Sequence, residues 1–203
     1  MTTINGTTIN AGVFIGPARI ITQKQYHIAI KNITEEDISS EIIMLEQALN
    51  RAENEIKSIL DSSSLGPKDK DIIETHLLIL RDPDIVEKIT SKITDNLHSA
   101  AHAVHQTFEA VITHFQNLEN DFFALRVGDY KDVSHRLLGS LLGESSEEIL
   151  HPDTTEVIIC REISPSRVTS LARMGYKAYI SETGSYNSHS SILTRALDLV
   201  AIT

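Results

Sequence analysis

The hydrophobic positions of this 203-residue chain change period twice. The opening stretch Ala11-Gly12-Val13-Phe14-Ile15-Gly16-Pro17-Ala18-Arg19-Ile20-Ile21 is β-branched and aromatic, which predicts a strand broken at Gly16 and Pro17. A second short strand is expected around Tyr26 to Ile30. From Thr34 the period becomes helical. Thr34-Glu35-Glu36-Asp37 fits a capping box, a hydroxyl at the cap with a carboxylate three residues on. Behind it Ile38, Ile42, Leu45, Leu49, Ala52, Ile56 and Ile59 alternate steps of four and three, a seam along one helix face. The Ser-rich run ending in Gly66-Pro67 stops that helix. Four more helices are expected: about 68–80, from Asp82-Pro83 through Ile93, about 99–118, and about 121–142 with Gly143 as its cap. Short apolar runs then return. Thr155 to Cys160 and Gly175 to Ile180 read as strands, Ser164-Pro165-Ser166 opens a helix through Leu171, and His189 starts another to about Leu197.

Strands alternating with helices predict an α/β unit with parallel pairing. The opening strand joins its sheet in this reading. Residues 1–33 and 144–203 then form one discontinuous α/β domain, and residues 34–143 an all-helical insertion.

Composition narrows the chemistry. Eighteen Lys plus Arg against 28 Asp plus Glu give a net charge of −10, which disfavours binding to a phosphate backbone and suits a basic partner. Hydrophobic residues make up 41% of the chain, yet no uncharged run approaches the ~18 residues of a membrane span. Met1 to Asn10 lacks the pattern of a signal peptide. The single cysteine, Cys160, excludes an internal disulfide, reads as a core residue and fits a reducing cytoplasm.

The loop Thr183 to Ser188 meets a helix whose first residue is His189. The first turn of a helix exposes unpaired N–H groups and partial positive charge. A neutral imidazole there is a nucleophile, and a phosphoryl group placed on it would lie at a natural anion site beside Ser188, Ser190 and Ser191. On local context alone, an ordinary helix-start residue is the stronger reading of His189. His98, His102 and His105 recur at steps of four and three, a spacing that suits a transition metal, but no acidic or cysteine ligand is in step and a solvated face explains them as well.

Larger motifs separate these readings. Gly184-x-x-x-Ser188-His189-x-x-Ile192-x-x-Arg195-x-Leu197 resembles the phosphohistidine signature of the phosphoenolpyruvate-utilising enzymes. Three further segments, in family order, resemble enzyme I of the sugar phosphotransferase system: Ile9 to Ala18, Glu74-Thr75-His76-Leu77-Leu78-Ile79-Leu80-Arg81-Asp82-Pro83, and Arg126-Val127-Gly128-Asp129-Tyr130-Lys131-Asp132 continuing to Leu138. Ser164-Pro165-Ser166 stands for the family's Thr-Pro-Ser. Together they span nearly the whole chain.

The resemblance implies an α/β phosphohistidine domain with a helical bundle that docks the small carrier protein HPr. It implies that His189 takes a phosphoryl group from phosphoenolpyruvate and passes it to a histidine of HPr. Arg195 and Ser188 accompany it, Arg195 to balance phosphate charge. Asp69, Asp71, Glu74, His76, Ile79, Asp82 and Arg126 are the expected partner-binding residues, with packing within its helix the other reading of His76 and a solvated face that of the carboxylates; Leu77, Leu78 and Ile79 are consecutive, so at least one is expected to face out. No metal is expected within the chain. The barrel that binds phosphoenolpyruvate and Mg²⁺ is expected beyond Thr203, so these residues should take phosphate backwards from phosphorylated HPr. The whole enzyme is expected to be a homodimer and this part a monomer. Ala11, Ser185, Thr194 and Val200 depart from the family pattern. Val168 stands where a threonine is common, leaving Thr169 or a carbonyl to fix the imidazole tautomer. The alternatives are the multiphosphoryl subunit of dihydroxyacetone kinase, which reuses such a domain, and a non-catalytic helical binding module.

Overall fold

The structure is a computed structural model that describes residues 5–22, 26–61, 67–118, 121–143 and 155–203; the side chains of 67–69 and 121–125 lie outside the description. The chain divides into two compact units, one of residues 1–24, 62–72 and 149–203, the other of residues 25–61 and 73–148.

The first unit holds a five-stranded sheet. Its spatial order is β1 (Thr8–Asn10), β5 (Val200–Ile202), β4 (Ala178–Ser181), β3 (Val157–Cys160) and β2 (Ala18–Ile20). β2 through β5 pair in parallel, and β1 runs antiparallel to β5. The alternation of side chains buries one face, with Ile158, Cys160, Tyr179, Ser181 and Ala201 all enclosed. Helices α6 (Pro165–Met174) and α7 (His189–Ala196) make the crossovers from β3 to β4 and from β4 to β5. Ser164 caps α6, and Gly175, at φ 91°, closes it in the left-handed conformation that glycine adopts without penalty.

Three local expectations are corrected here. The stretch Ala11 to Ile21 is not one broken strand: β1 and β2 occupy opposite edges of the sheet, so residues 11–17 must cross from one edge to the other. Gly12 and Gly16 permit the close passage, since a Cβ at Gly12 would lie 2.5 Å from Val200 Cγ2 and one at Gly16 only 1.9 Å from the Thr155 carbonyl oxygen. Tyr26 to Ile30 forms no strand, having no ladder to join; only Asn32 bridges, to His98. β5 was not expected, because three residues carry too little periodicity to announce a strand.

The second unit is helical. α1 (Ile38–Leu60) buries Leu45, Ala48, Leu49, Ala52, Ile56 and Ile59, while Ile38 and Ile42 at its start are half-buried. Asp37 Oδ2 accepts from both the Thr34 N–H (3.0 Å) and its hydroxyl (2.8 Å), which closes the chain into the helix. α2 spans Pro67–Leu80, α3 Pro83–Thr94, α4 Ala100–Gln116 and α5 Asp121–Leu141. Asp82 caps α3 by accepting from the Asp84 and Ile85 N–H groups, with Pro83 at the first helical position. Arg51 of α1 donates to the Ser140 carbonyl (2.9 Å) and hydroxyl (3.1 Å), and Glu41 accepts from the Ala100 N–H at 2.8 Å, so α1 is tied to both α5 and α4.

The unit boundaries differ from those read along the chain. Residues 26–33 go with the helices, because the Ile33 N–H donates to Leu97 O (2.8 Å) and the Ser99 N–H to Lys31 O (3.1 Å). Residues 67–72 of α2 cluster with the sheet unit. Among the described residues no helix is long and apolar enough to cross a membrane.

Candidate active site

His189 is the first residue of α7 and is half-buried. Ser188, extended at φ −66° and ψ 155°, is the N-cap, and its hydroxyl oxygen accepts the Ser191 N–H at 3.2 Å. The Ser188 hydroxyl donates onward to Ser191 Oγ (2.9 Å), which donates to the Ser185 carbonyl at 2.6 Å. Ser190 donates to the Ile163 carbonyl at 2.7 Å, anchoring the same turn to the loop ahead of α6. The serines flanking His189 therefore fix the helix start in place.

The far end of α7 is held as tightly. Thr194 is fully buried and donates to Ser190 O at 2.7 Å, and Tyr179 of β4 lies 2.6 Å from the same hydroxyl. Because the threonine proton is committed to Ser190, the phenol is the donor in that contact. Burial holds the Tyr179 phenol above its ordinary pKa. Thr194 departs from the family pattern, and its partner Tyr179 lies 15 residues away along the chain.

Arg195 turns back from the last turn. Nη1 donates to the Tyr186 carbonyl at 2.9 Å, and the guanidinium lies 4.3 Å from the Tyr186 ring centroid. Tyr186 was not singled out by the sequence, where it fills an unspecified position of the motif. Thr169 donates its hydroxyl proton to Ser166 O at 2.7 Å, back along its own helix, which leaves its oxygen lone pairs to accept. Cys160 is 7% exposed, and burial pushes its thiol up to about 11.

In the helical unit the expected partner-binding residues separate by burial. His76 is 1% exposed, with Nε2 3.4 Å from Asp129 Oδ1 and Nδ1 3.4 Å from Asp132 Oδ2. The two family-like segments thus meet in the core, and His76 is corrected to an internal packing group. Ile79 is corrected likewise, at 6% exposed, because α2 turns it inward; Leu78 is the outward residue of the trio at 73%. Glu74 and Asp71 are exposed, Asp82 is half-buried, and Arg126 is 35% exposed with Nη1 3.6 Å from Asp129 Oδ2. Asp69 lies on α2, with its side chain outside the described residues. Leu78 borders a cleft of about 450 Å³ shared with Glu53, Leu77, Arg81, Asp82 and Pro83. Arg81 is engaged by Glu53 (2.7 Å), Glu46 (3.2 Å) and Asn50.

The His98 and His102 rings stack with centroids 4.2 Å apart, and His102 Nε2 is 3.0 Å from the Gln106 amide nitrogen. Among the described residues no group of three or more His, Cys, Asp or Glu is arranged to hold a metal ion.

The N-terminal family model of the PEP-utilising enzymes matches residues 5–126, and the model of their mobile domain matches residues 152–203. The chain belongs to this family. It is 29% identical over 201 residues to the phosphoenolpyruvate-protein phosphotransferase of Priestia megaterium, covering 98% of this chain and 35% of that protein. The protein of the same name from Bacillus subtilis is 28% identical over 207 residues, covering 100% and 35%. The chain thus spans about a third of the length of these curated relatives. The solution structure of an Enzyme I protein superposes with a TM-score of 0.74 at 25% identity, over 98% of this chain and 81% of that one. The N-terminal domain of a nitrogen Enzyme 1 shares the fold, with a TM-score of 0.69 at 19% identity over 98% and 82%.

Proposed function

We propose that this chain is the histidine-bearing, carrier-docking part of a phosphoenolpyruvate-protein phosphotransferase. The observation that carries the reading is His189 at the capped start of α7, with Arg195 folded back along the helix. The donor comes from the name shared by the curated relatives, and the acceptor, a histidine of HPr, from the enzyme I resemblance.

The chemistry is two substitutions at phosphorus. In the first, a ring nitrogen of neutral His189 attacks the phosphoryl group of phosphoenolpyruvate. The N–P bond forms, the bond to the enol oxygen breaks, and the enolate leaves to take a proton as pyruvate. In the second, a ring nitrogen of HPr attacks the same phosphorus and the bond to His189 breaks. The α7 amides face the phosphoryl oxygens in both steps, and Arg195 adds a cation. Among the described residues no ligand set is arranged for the Mg²⁺ that the resemblance implies.

For docking, the exposed Leu78 and the carboxylates Glu74, Asp82 and Asp84 offer an apolar centre with an acidic rim, which suits a basic carrier surface.

The test uses HPr phosphorylated with labelled phosphate as donor. The wild-type chain is expected to take up an acid-labile, alkali-stable phosphoryl group, and His189→Ala to take up none while melting unchanged. Mass spectrometry placing the phosphate on His76, on His98 to His105 or on a serine would overturn the reading.

A further inference from the structure

Arg195 stands six residues beyond His189, in the last turn of α7, and a helical projection puts the two on different faces. Helical side chains lean toward the N-terminus, and a long arginine can run back along its own helix. Here it does so. Nη1 reaches the carbonyl of Tyr186, three residues before His189, and the guanidinium lies over the Tyr186 ring at 4.3 Å. A cation belonging to the end of the helix is thereby held on the loop that enters its beginning.

We propose that Tyr186 is a positioning residue of the phosphoryl-transfer site, keeping the Arg195 guanidinium at the histidine end of α7. This rests on His189 being the phosphorylated residue. The two contacts have different tasks. The carbonyl accepts one N–H and sets the direction of the fork, while the ring attracts the cation through its face and occupies no donor. Among the described residues the other guanidinium N–H groups make no bond, so they are available to an incoming anion. The loop itself is fixed next door by the Ser191 hydroxyl on Ser185 O, so the ring has a rigid base. Tyr186 is 52% exposed, and its hydroxyl has no partner among the described residues. Its contribution is therefore ring and backbone; phenylalanine keeps both, whereas alanine keeps the carbonyl and loses the ring.

The experiment measures phosphoryl transfer from phosphorylated HPr to wild type, Tyr186→Phe, Tyr186→Ala and Arg195→Lys, with melting temperatures alongside. Tyr186→Ala and Arg195→Lys are expected to slow transfer at saturating donor on the order of tenfold, the scale of a misplaced catalytic group. The half-saturating concentration of phosphorylated HPr and the melting temperature should stay at wild-type values. Tyr186→Phe should transfer within about twofold of wild type, since the cation–ring contact persists. A full rate in Tyr186→Ala, an equal loss in Tyr186→Phe, or a loss that tracks a lowered melting temperature would overturn the role given to Tyr186. A wild-type chain that takes no label at His189 would instead sink the functional reading beneath it.

Discussion

Replacing Thr194 by the alanine usual in the family should destabilise the sheet unit, and by more than removing the phenol it meets. The reason is an asymmetry in partners. Thr194 Oγ1 has two, Ser190 O at 2.7 Å and the Tyr179 hydroxyl at 2.6 Å, whereas the Tyr179 hydroxyl makes its hydrogen bond to Thr194. Tyr179 is 2% exposed, so water cannot replace a lost partner. Thr194→Ala leaves the phenol buried and unsatisfied, which costs about 2 kcal/mol. Tyr179→Phe leaves Thr194 bonded to Ser190 and removes one hydrogen bond, about 1 kcal/mol. In the double variant no orphan hydroxyl remains, so its cost should be about 1–2 kcal/mol, below the ~3 kcal/mol sum of the single changes. Urea unfolding of the four proteins measures the cycle. Additive costs, or Tyr179→Phe costing more than Thr194→Ala, would refute the assignment of donor and acceptor.

Three other outcomes are expected. His102 resists protonation, chiefly through burial and then through His98, His105 and Lys92, so its folded pKa lies below the ordinary 6.5. Below pH 6.5 the unfolded chain then binds more protons and stability falls with pH; His102→Gln should flatten that slope in urea titrations between pH 7 and about 5, and an unchanged slope would contradict it. The Cys160 thiol, raised to about 11 and buried, should resist a thiol reagent at about pH 8 until the chain is unfolded, and prompt native labelling would contradict its place in the core. Leu78→Ala should weaken HPr binding by about 1–2 kcal/mol with stability changed by less than ~0.5, whereas Ile79→Ala should cost about 2–4 kcal/mol of stability; calorimetry that gives the reverse would undo the docking face.

What the sequence determined by itself is local and periodic. The seam from Ile38 to Ile59, the Asp82-Pro83 and Ser164-Pro165 helix starts, and the loop running into His189 each depend on residues a few positions apart. Caps and amphipathic stripes act over one or two turns, so they are legible before any tertiary contact forms. What only the tertiary structure decided depends on partners far along the chain. β1 becomes a strand because Thr8 and Asn10 find Ile202 and Ala201, and so the chain between Ala11 and Pro17 has to cross the sheet rather than belong to it. His76 looks like a surface group on its own helix, and turns inward because Asp129 and Asp132 meet it from α5. Three consecutive apolar residues, Leu77 to Ile79, cannot be assigned to core or surface by any local rule, and the packing of α2 alone selects Leu78 to face outward. Arg195, read as a cation on the wrong face of its helix, is brought to the histidine end only because the loop sets a ring and a carbonyl within its reach. Periodicity reports which face a residue occupies; which faces are covered, and by what, is fixed when distant segments bury one another's surface and satisfy one another's polar groups.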